Sequence, residues 1–142
     1  MNGDAGDAFG INFMSDRYPH EQFAKGLRKP KDFNATAEVR SYASKSGGKK
    51  SVNWRYTEAV TAIKNQGQCG SCWAFSATEA IESQLVLASG GRLAMDLSPQ
   101  MITSCTPSTG TYGCMGCEGG FTEGAYEYVA NATGLANAFF IP

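Results

Sequence analysis

The chain has 142 residues, the length of one domain, and is 42% hydrophobic and 18% charged with a net charge of −1. Nucleic acid is a poor partner, because most of the chain is acidic and its aromatic residues are not interleaved with Lys or Arg. No apolar run approaches the roughly 18 residues of a membrane helix, and the first residues lack the basic and then apolar pattern of a signal peptide. We therefore expect a globular protein that binds neither nucleic acid nor membranes.

The charge is divided unevenly along the chain. Residues 1–50 contain nine Lys or Arg and six Asp or Glu, whereas residues 51–142 contain three and seven. Opposite net charges predict that the two parts attract each other. The basic, Pro- and Gly-containing stretch 29–50 is typical of an extended linker, so we place the boundary between the two parts at residue 50.

Local patterns predict several further elements. A Tyr-Pro pair at Tyr18 predicts the start of a short helix, and the stretch 52–60 is strand-like or irregular. The strongest helix signal covers Cys72–Ala88, where apolar residues recur every three or four positions before two glycines. A short helix is expected after Ser98, and another from Thr122 to about residue 130, with a Gly- and Cys-rich loop between them.

Five cysteines are clustered within 49 residues, at positions Cys69, Cys72, Cys105, Cys114 and Cys117. In an oxidising compartment, an odd number suggests two disulfides and one free thiol. In a reducing compartment, the two CxxC pairs would instead resemble the ligand pattern of a structural zinc site. The 41 residues between the pairs exceed the spacing of ordinary zinc ribbons, so we regard a zinc-binding module as the weaker alternative.

Cys72 occupies a position that suits a nucleophile. It lies in the first turn of the predicted helix, directly after a Gly-containing loop, where unpaired N–H groups and the helix dipole favour a thiolate. The backbone N–H of Cys72 and the side-chain amide of Gln66 are candidate donors to the oxyanion that acyl transfer creates. The segment therefore predicts half of an acyl-transfer site.

Four motifs resemble the papain-like cysteine peptidases. The sequence NQGQCGSCWAF around Cys72 resembles their active-site segment, and SVNWR at Ser51–Arg55 is similar to the start of their mature enzyme, with Asn in place of the usual Asp. GCEGG at 116–120 resembles their Gly-Cys-Asn-Gly-Gly segment, and GINFMSD at 10–16 resembles a motif of their inhibitory propeptide. The resemblance covers nearly the whole chain.

This resemblance implies roles for individual residues. Cys72 would be the catalytic nucleophile, which forms a thioester with the substrate, and Gln66 would be the oxyanion donor. Residues Gly70, Gly119, Gly120, Phe121 and Thr122 would contact an extended peptide substrate, which binds like an added strand.

The resemblance also implies a disulfide between Cys69 and Cys117. Cys105 normally pairs with a cysteine further along, and no cysteine follows Cys117 in this sequence. We therefore consider a local Cys105–Cys114 bridge as a hypothesis, based on the nine-residue spacing and the otherwise unpaired thiols.

The family mechanism requires a His that takes the thiol proton and an Asn that orients it. The single histidine, His20, lies in the propeptide-like part, and we interpret it as a solvated helix residue. We therefore expect the chain to be a fragment that is itself inactive. Residues 1–50 would be the end of a propeptide, and residues 51–142 the N-terminal half of the peptidase domain.

The implied fold class is α+β, a two-domain papain-like cysteine peptidase of which this chain covers mainly the helical left domain. The implied protein is an endopeptidase precursor that acts on polypeptides without a cofactor or metal, with its own propeptide in the cleft. It would be a monomer in a lysosome or vacuole, or secreted. The alternative that the sequence leaves open is a non-catalytic homologue or a propeptide-type inhibitor.

Overall fold

The computed structural model describes residues 26–31, 51, 53–109 and 112–142. Helix α1 comprises Cys72–Ala88, α2 Pro99–Cys105 and α3 Thr122–Asn131, and α1 contacts both of the others. Two short 3-10 helices lie at Trp54–Tyr56 and Gly116–Glu118. The expected helix start at Tyr18 and the linker beyond residue 31 lie outside the described residues.

The bounds of α1 follow from local sequence signals and confirm the predicted range. The helix ends at Ala88, and two glycines follow its C-cap Ser89. Both have positive φ, 65° at Gly90 and 84° at Gly91, a conformation that side chains disfavour. The Gly91 N–H donates to Val86 O at 2.9 Å, which satisfies a carbonyl of the last turn.

The buried face of α1 carries both apolar and polar residues. Trp73, Ala74 and Ala77 are buried in the core between the helices. Further along the same face, Thr78 is fully buried and Glu82 is 1% exposed. The apolar spacing therefore identified the helix but not the charged side chain on its buried face.

Helices α2 and α3 complete the core. The hydroxyl of Ser98 accepts a hydrogen bond from Met101 N at 2.9 Å, and Pro99 occupies the first turn of α2, as expected at a helix start. Ile102 of α2 and Ala125 of α3 are fully buried against α1. Both helices were predicted from their sequences, and α3 extends one residue past the predicted end.

Within the described residues, β structure is limited to two isolated bridges. Leu97 pairs with Asn137 in the antiparallel sense, and Leu27 pairs with Gly120 in the parallel sense. The second bridge joins the two oppositely charged parts of the chain, because Leu27 belongs to the basic part and Gly120 to the acidic part. This contact lies at the candidate site.

Candidate active site

Cys72 is the first residue of α1 and is a half-buried free thiol. Its sulfur is therefore at the positive end of the helix dipole, where negative charge is stabilised. The helix is anchored at this end by Ser71, which is buried and whose carbonyl accepts from Ala74 N at 2.9 Å and Phe75 N at 3.1 Å. The candidate nucleophile thus lies on a helix rather than on a loop.

Gln66 lies in the loop that leads into α1. Its side-chain Nε2 donates to Cys69 O at 2.8 Å, and the side chain is half-buried. The loop turns at Gly67, which has φ of +61° and whose N–H donates to Asn65 Oδ1 at 2.9 Å. A primary amide carries two N–H bonds, so the contact with Cys69 uses one of them and the other can serve an oxyanion.

A disulfide joins this loop to the opposite wall of the site. Cys69 and Cys117 are bonded across 48 residues, which is the pairing that the family resemblance implied. Gly70 N also donates to Cys117 O at 2.9 Å, and a Cβ on Gly70 would overlap that oxygen. A disulfide that closes a loop of this length stabilises a fold by roughly 4 kcal/mol on the chain-entropy model.

The opposite wall is the segment that contains Gly119 and Gly120. A Cβ on Gly120 would lie 2.6 Å from the indole of Trp73, and that indole donates from Nε1 to Gly116 O at 3.1 Å. Gly119 has φ of +110°, which strains any other residue. The Trp73 ring therefore leaves no room for a side chain at Gly120, and the backbone conformation disfavours one at Gly119. The Gly119 backbone groups bond within their own turn, to Gly116 O and from Met115 N, which leaves those of Gly120 to pair with a neighbouring strand.

Residues 26–28 of the same chain occupy that strand position. Gly120 N donates to Gly26 O at 2.7 Å, and Arg28 N donates to Gly120 O at 2.8 Å. A Cβ on Gly26 would overlap Gly70 O and would lie 2.9 Å from Cys72 Sγ. The chain therefore covers its own candidate nucleophile, and it does so at a residue without a side chain.

Phe121 and Thr122 follow directly after the glycines. Phe121 is 9% exposed, with its ring centroid 6.1 Å from that of Tyr112. Thr122 is half-buried and its hydroxyl donates to Glu123 Oε2 at 2.8 Å at the start of α3. Both residues therefore have structural contacts, and their role in substrate binding stays a prediction.

The hypothesis of a Cys105–Cys114 bridge is wrong in this structure, where both residues are free thiols. Cys114 is buried and its Sγ lies 3.6 Å from Phe121 O, whereas Cys105 is exposed at the end of α2 beside Tyr128. Burial raises the pKa of the Cys114 thiol, more than its backbone hydrogen bond lowers it. The two sulfurs face different environments, which sequence spacing does not reveal.

The zinc-module alternative is also wrong in this structure. It needs four thiolates, but the sulfur atoms of Cys69 and Cys117 are bonded to each other. Separately, no helix within the described ranges is both long and apolar enough to cross a bilayer.

Sequence reasoning missed two residues. Gly26 sits against Cys72, and the only sequence signal for it was a glycine near the propeptide-like motif. Glu82 lies on the buried face of α1. The sequence signal for it was its spacing of eight residues from Ala74, which places the two side chains on the same face of the helix.

The family model described as papain family cysteine protease matches residues 48–139. Cysteine proteinase 7 of Dictyostelium discoideum is 40% identical over 127 residues, which cover 89% of this chain and 26% of that protein. Cathepsin S of Rattus norvegicus is 39% identical over 126 residues, 87% of this chain and 37% of its own length. The chain thus spans about a quarter to two fifths of these relatives.

Two solved precursors have the same fold. Digestive procathepsin L2 from Tenebrio molitor larval midgut aligns with a TM-score of 0.67 and 32% identity, over 90% of this chain and 42% of that one. The recombinant stem bromelain precursor aligns with a TM-score of 0.70 and 32% identity, over 90% and 39%. The helical part of the expected α+β fold is confirmed, and the chain belongs to the papain family of cysteine proteases.

Proposed function

We propose that the protein containing this chain is a cysteine endopeptidase made as an inactive precursor, with Cys72 as its nucleophile. The observation that carries the proposal is the pairing of Gly26 and Arg28 with both backbone groups of Gly120, directly over Cys72. A wall that pairs with an extended segment of its own chain offers the same hydrogen bonds to an extended polypeptide substrate.

The chemistry follows from the groups at the site. The Cys72 sulfur attacks a peptide carbonyl carbon, a C–S bond forms, and the carbonyl oxygen becomes an oxyanion that Gln66 Nε2 and the Cys72 N–H stabilise. The C–N bond then breaks, the amine leaves with a proton, and a thioester remains until water hydrolyses it. A His that is oriented by an Asn takes the thiol proton and gives it to the leaving amine. By the family resemblance, both residues belong to a part of the protein outside these 142 residues. No cofactor takes part.

Residues 1–50 are the inhibitory segment in this proposal, and residues 51–142 belong to the peptidase domain. The family match that begins at residue 48 supports this boundary. The Leu27–Gly120 bridge supports a segment that lies in the cleft as an added strand. The inhibitory segment is therefore a partner of the cleft that must leave before a substrate binds.

The disulfide supports a proposal for the compartment. A Cys69–Cys117 bond persists in an oxidising environment, which supports a lysosomal or vacuolar location or secretion. We further propose that the protein acts as a monomer.

The test uses the intact protein after removal of residues 1–50. We expect it to hydrolyse a peptide amide, and we expect Cys72→Ser to abolish the activity. Gln66→Ala should lower kcat by roughly a hundredfold, the usual loss for one oxyanion donor. Gln68→Ala is the matched control, since Gln68 is an exposed amide in the same loop, and it should leave kcat unchanged. A processed protein that binds peptides without cleaving them would instead support the non-catalytic alternative.

A further inference from the structure

A buried carboxylate lies ten residues after Cys72 on the same helix. The side chain of Glu82 is fully inaccessible, although the residues around it on this face of α1 are alanine, threonine and valine. A buried charge is costly unless it is paired and hydrogen-bonded, so a carboxylate at this position requires an explanation.

The Glu82 carboxylate joins three segments of the chain. Its Oε2 accepts from Thr61 Oγ1 at 2.6 Å and from Lys64 Nζ at 2.8 Å, and its Oε1 accepts from Leu97 N at 2.7 Å. Lys64 Nζ also donates to Thr61 Oγ1 at 3.1 Å and lies 3.5 Å from Asp96 Oδ1. Helix α1 is thereby connected to the loop before it and to the residue before Ser98.

This connection fixes the start of the loop that carries Gln66. Lys64 precedes Gln66 by two residues and is itself largely buried, with 14% of its side chain exposed. The far end of the loop is held by the Cys69–Cys117 disulfide. The ion pair and the disulfide therefore fix the Gln66 loop on both sides.

We infer that Glu82 is a positioning residue, which through Lys64 holds the oxyanion donor Gln66 at a fixed place relative to Cys72. Glu82 and Cys72 belong to one helix. The Lys64–Glu82 ion pair therefore attaches the Gln66 loop to the same helix that carries the nucleophile. A displacement of about 1 Å in such a donor is enough to reduce catalysis. The inference rests on the proposed function.

The test compares two reactions of Cys72 in the processed, intact protein. A peptide aldehyde adds to the thiol to form a hemithioacetal whose oxygen needs the oxyanion donors, whereas iodoacetamide alkylates the sulfur without creating an oxyanion. We expect Glu82→Gln to lower kcat and the affinity for the aldehyde by about tenfold each, less than removal of Gln66 itself. The alkylation rate and KM should stay within about twofold.

Ser83→Ala is the matched control. Ser83 is the neighbour of Glu82 on α1, and its hydroxyl donates to Ala59 O at 2.6 Å, so it also connects α1 to the preceding segment, but away from Lys64. We expect this variant to lower the melting temperature without changing the ratio of aldehyde affinity to alkylation rate. Thr61→Val removes the two hydrogen bonds of the Thr61 hydroxyl, to Glu82 and from Lys64, but no charge. It serves if Glu82→Gln does not fold, with an expected loss of about threefold.

A double-mutant cycle decides between positioning and general stability. If Glu82 acts through Gln66, Glu82→Gln should cause no further loss in a Gln66→Ala background. An equal loss in both backgrounds, or a Glu82→Gln protein with unchanged aldehyde affinity, would overturn the inference and leave the proposed function intact. A processed wild-type protein without peptidase activity would overturn both.

Discussion

Gly26 covers Cys72 because it has no side chain. Its carbonyl accepts from Gly120 N at 2.7 Å, and any Cβ at this position would overlap Gly70 O. The sequence alone could not identify this residue, because the contact joins positions that are more than 40 residues apart. The motif around Cys72 predicted both the candidate nucleophile and Gln66, since the two residues lie within one short segment.

Replacing Gly26 with Ala should expose the candidate nucleophile. The methyl group would push residues 26–28 away from Gly120 and break two backbone hydrogen bonds, each worth roughly 1 kcal/mol net, which predicts about 30-fold faster alkylation of Cys72 in the unprocessed protein. Mass spectrometry of protein treated with iodoacetamide measures this rate.

Leu27→Ala is the control for this change. The Leu27 side chain is 63% exposed, and its backbone would keep the same bridge to Gly120, so the alkylation rate should stay near that of the wild type. Equal rates for Gly26→Ala and the wild type would show that residues 26–28 do not shield Cys72.

The burial of Glu82 could not be predicted from the sequence pattern. Apolar periodicity assigns a charged side chain to solvent, but the carboxylate of Glu82 is buried with Thr61, Lys64 and Leu97 N around it. Its partners lie up to 21 residues away along the chain, so no local sequence pattern predicts these contacts.

At the scale of elements, the helices were predictable because their signals are local. Helix α1 ends before the glycine pair at Gly90, and α2 begins after Ser98 with a proline in its first turn. The segment 53–60 carries no such signal, and its position depends on the long-range hydrogen bond from Ser83 to Ala59 O. It is irregular apart from the 3-10 helix Trp54–Tyr56, within the range of the prediction.

The cap of α2 is testable by substitution. Ser98 is fully buried, so Ser98→Ala would leave the Met101 N–H without its 2.9 Å acceptor. We expect the free energy of unfolding to fall by about 1 kcal/mol, measured by urea denaturation and circular dichroism. Ser104→Ala, an exposed serine of the same helix, should change it by less than about 0.5 kcal/mol. Similar losses for both variants would mean that the cap contributes nothing specific.

At the level of the whole molecule, three long-range connections among the described residues assemble the candidate site around the N-terminus of α1. The disulfide joins the loop to the glycine wall, the Glu82 ion pair joins the loop to α1, and residues 26–28 cover the cleft between them. The disulfide was expected from the family resemblance, whereas the Glu82 ion pair was not. The position of residues 26–28 agrees with the expected propeptide in the cleft. The boundary at residue 50 stays a prediction.

Whether residues 1–50 cover a reactive Cys72 is tested by labelling the intact protein with a peptide that carries an epoxide, before and after removal of those residues. We expect an adduct on Cys72 that forms only in the processed protein. Cys114 should stay unlabelled, because its thiol is buried and its pKa is raised. Equal labelling of Cys72 in both forms would contradict the covered cleft, and a processed protein without an adduct on Cys72 would contradict its role as the nucleophile.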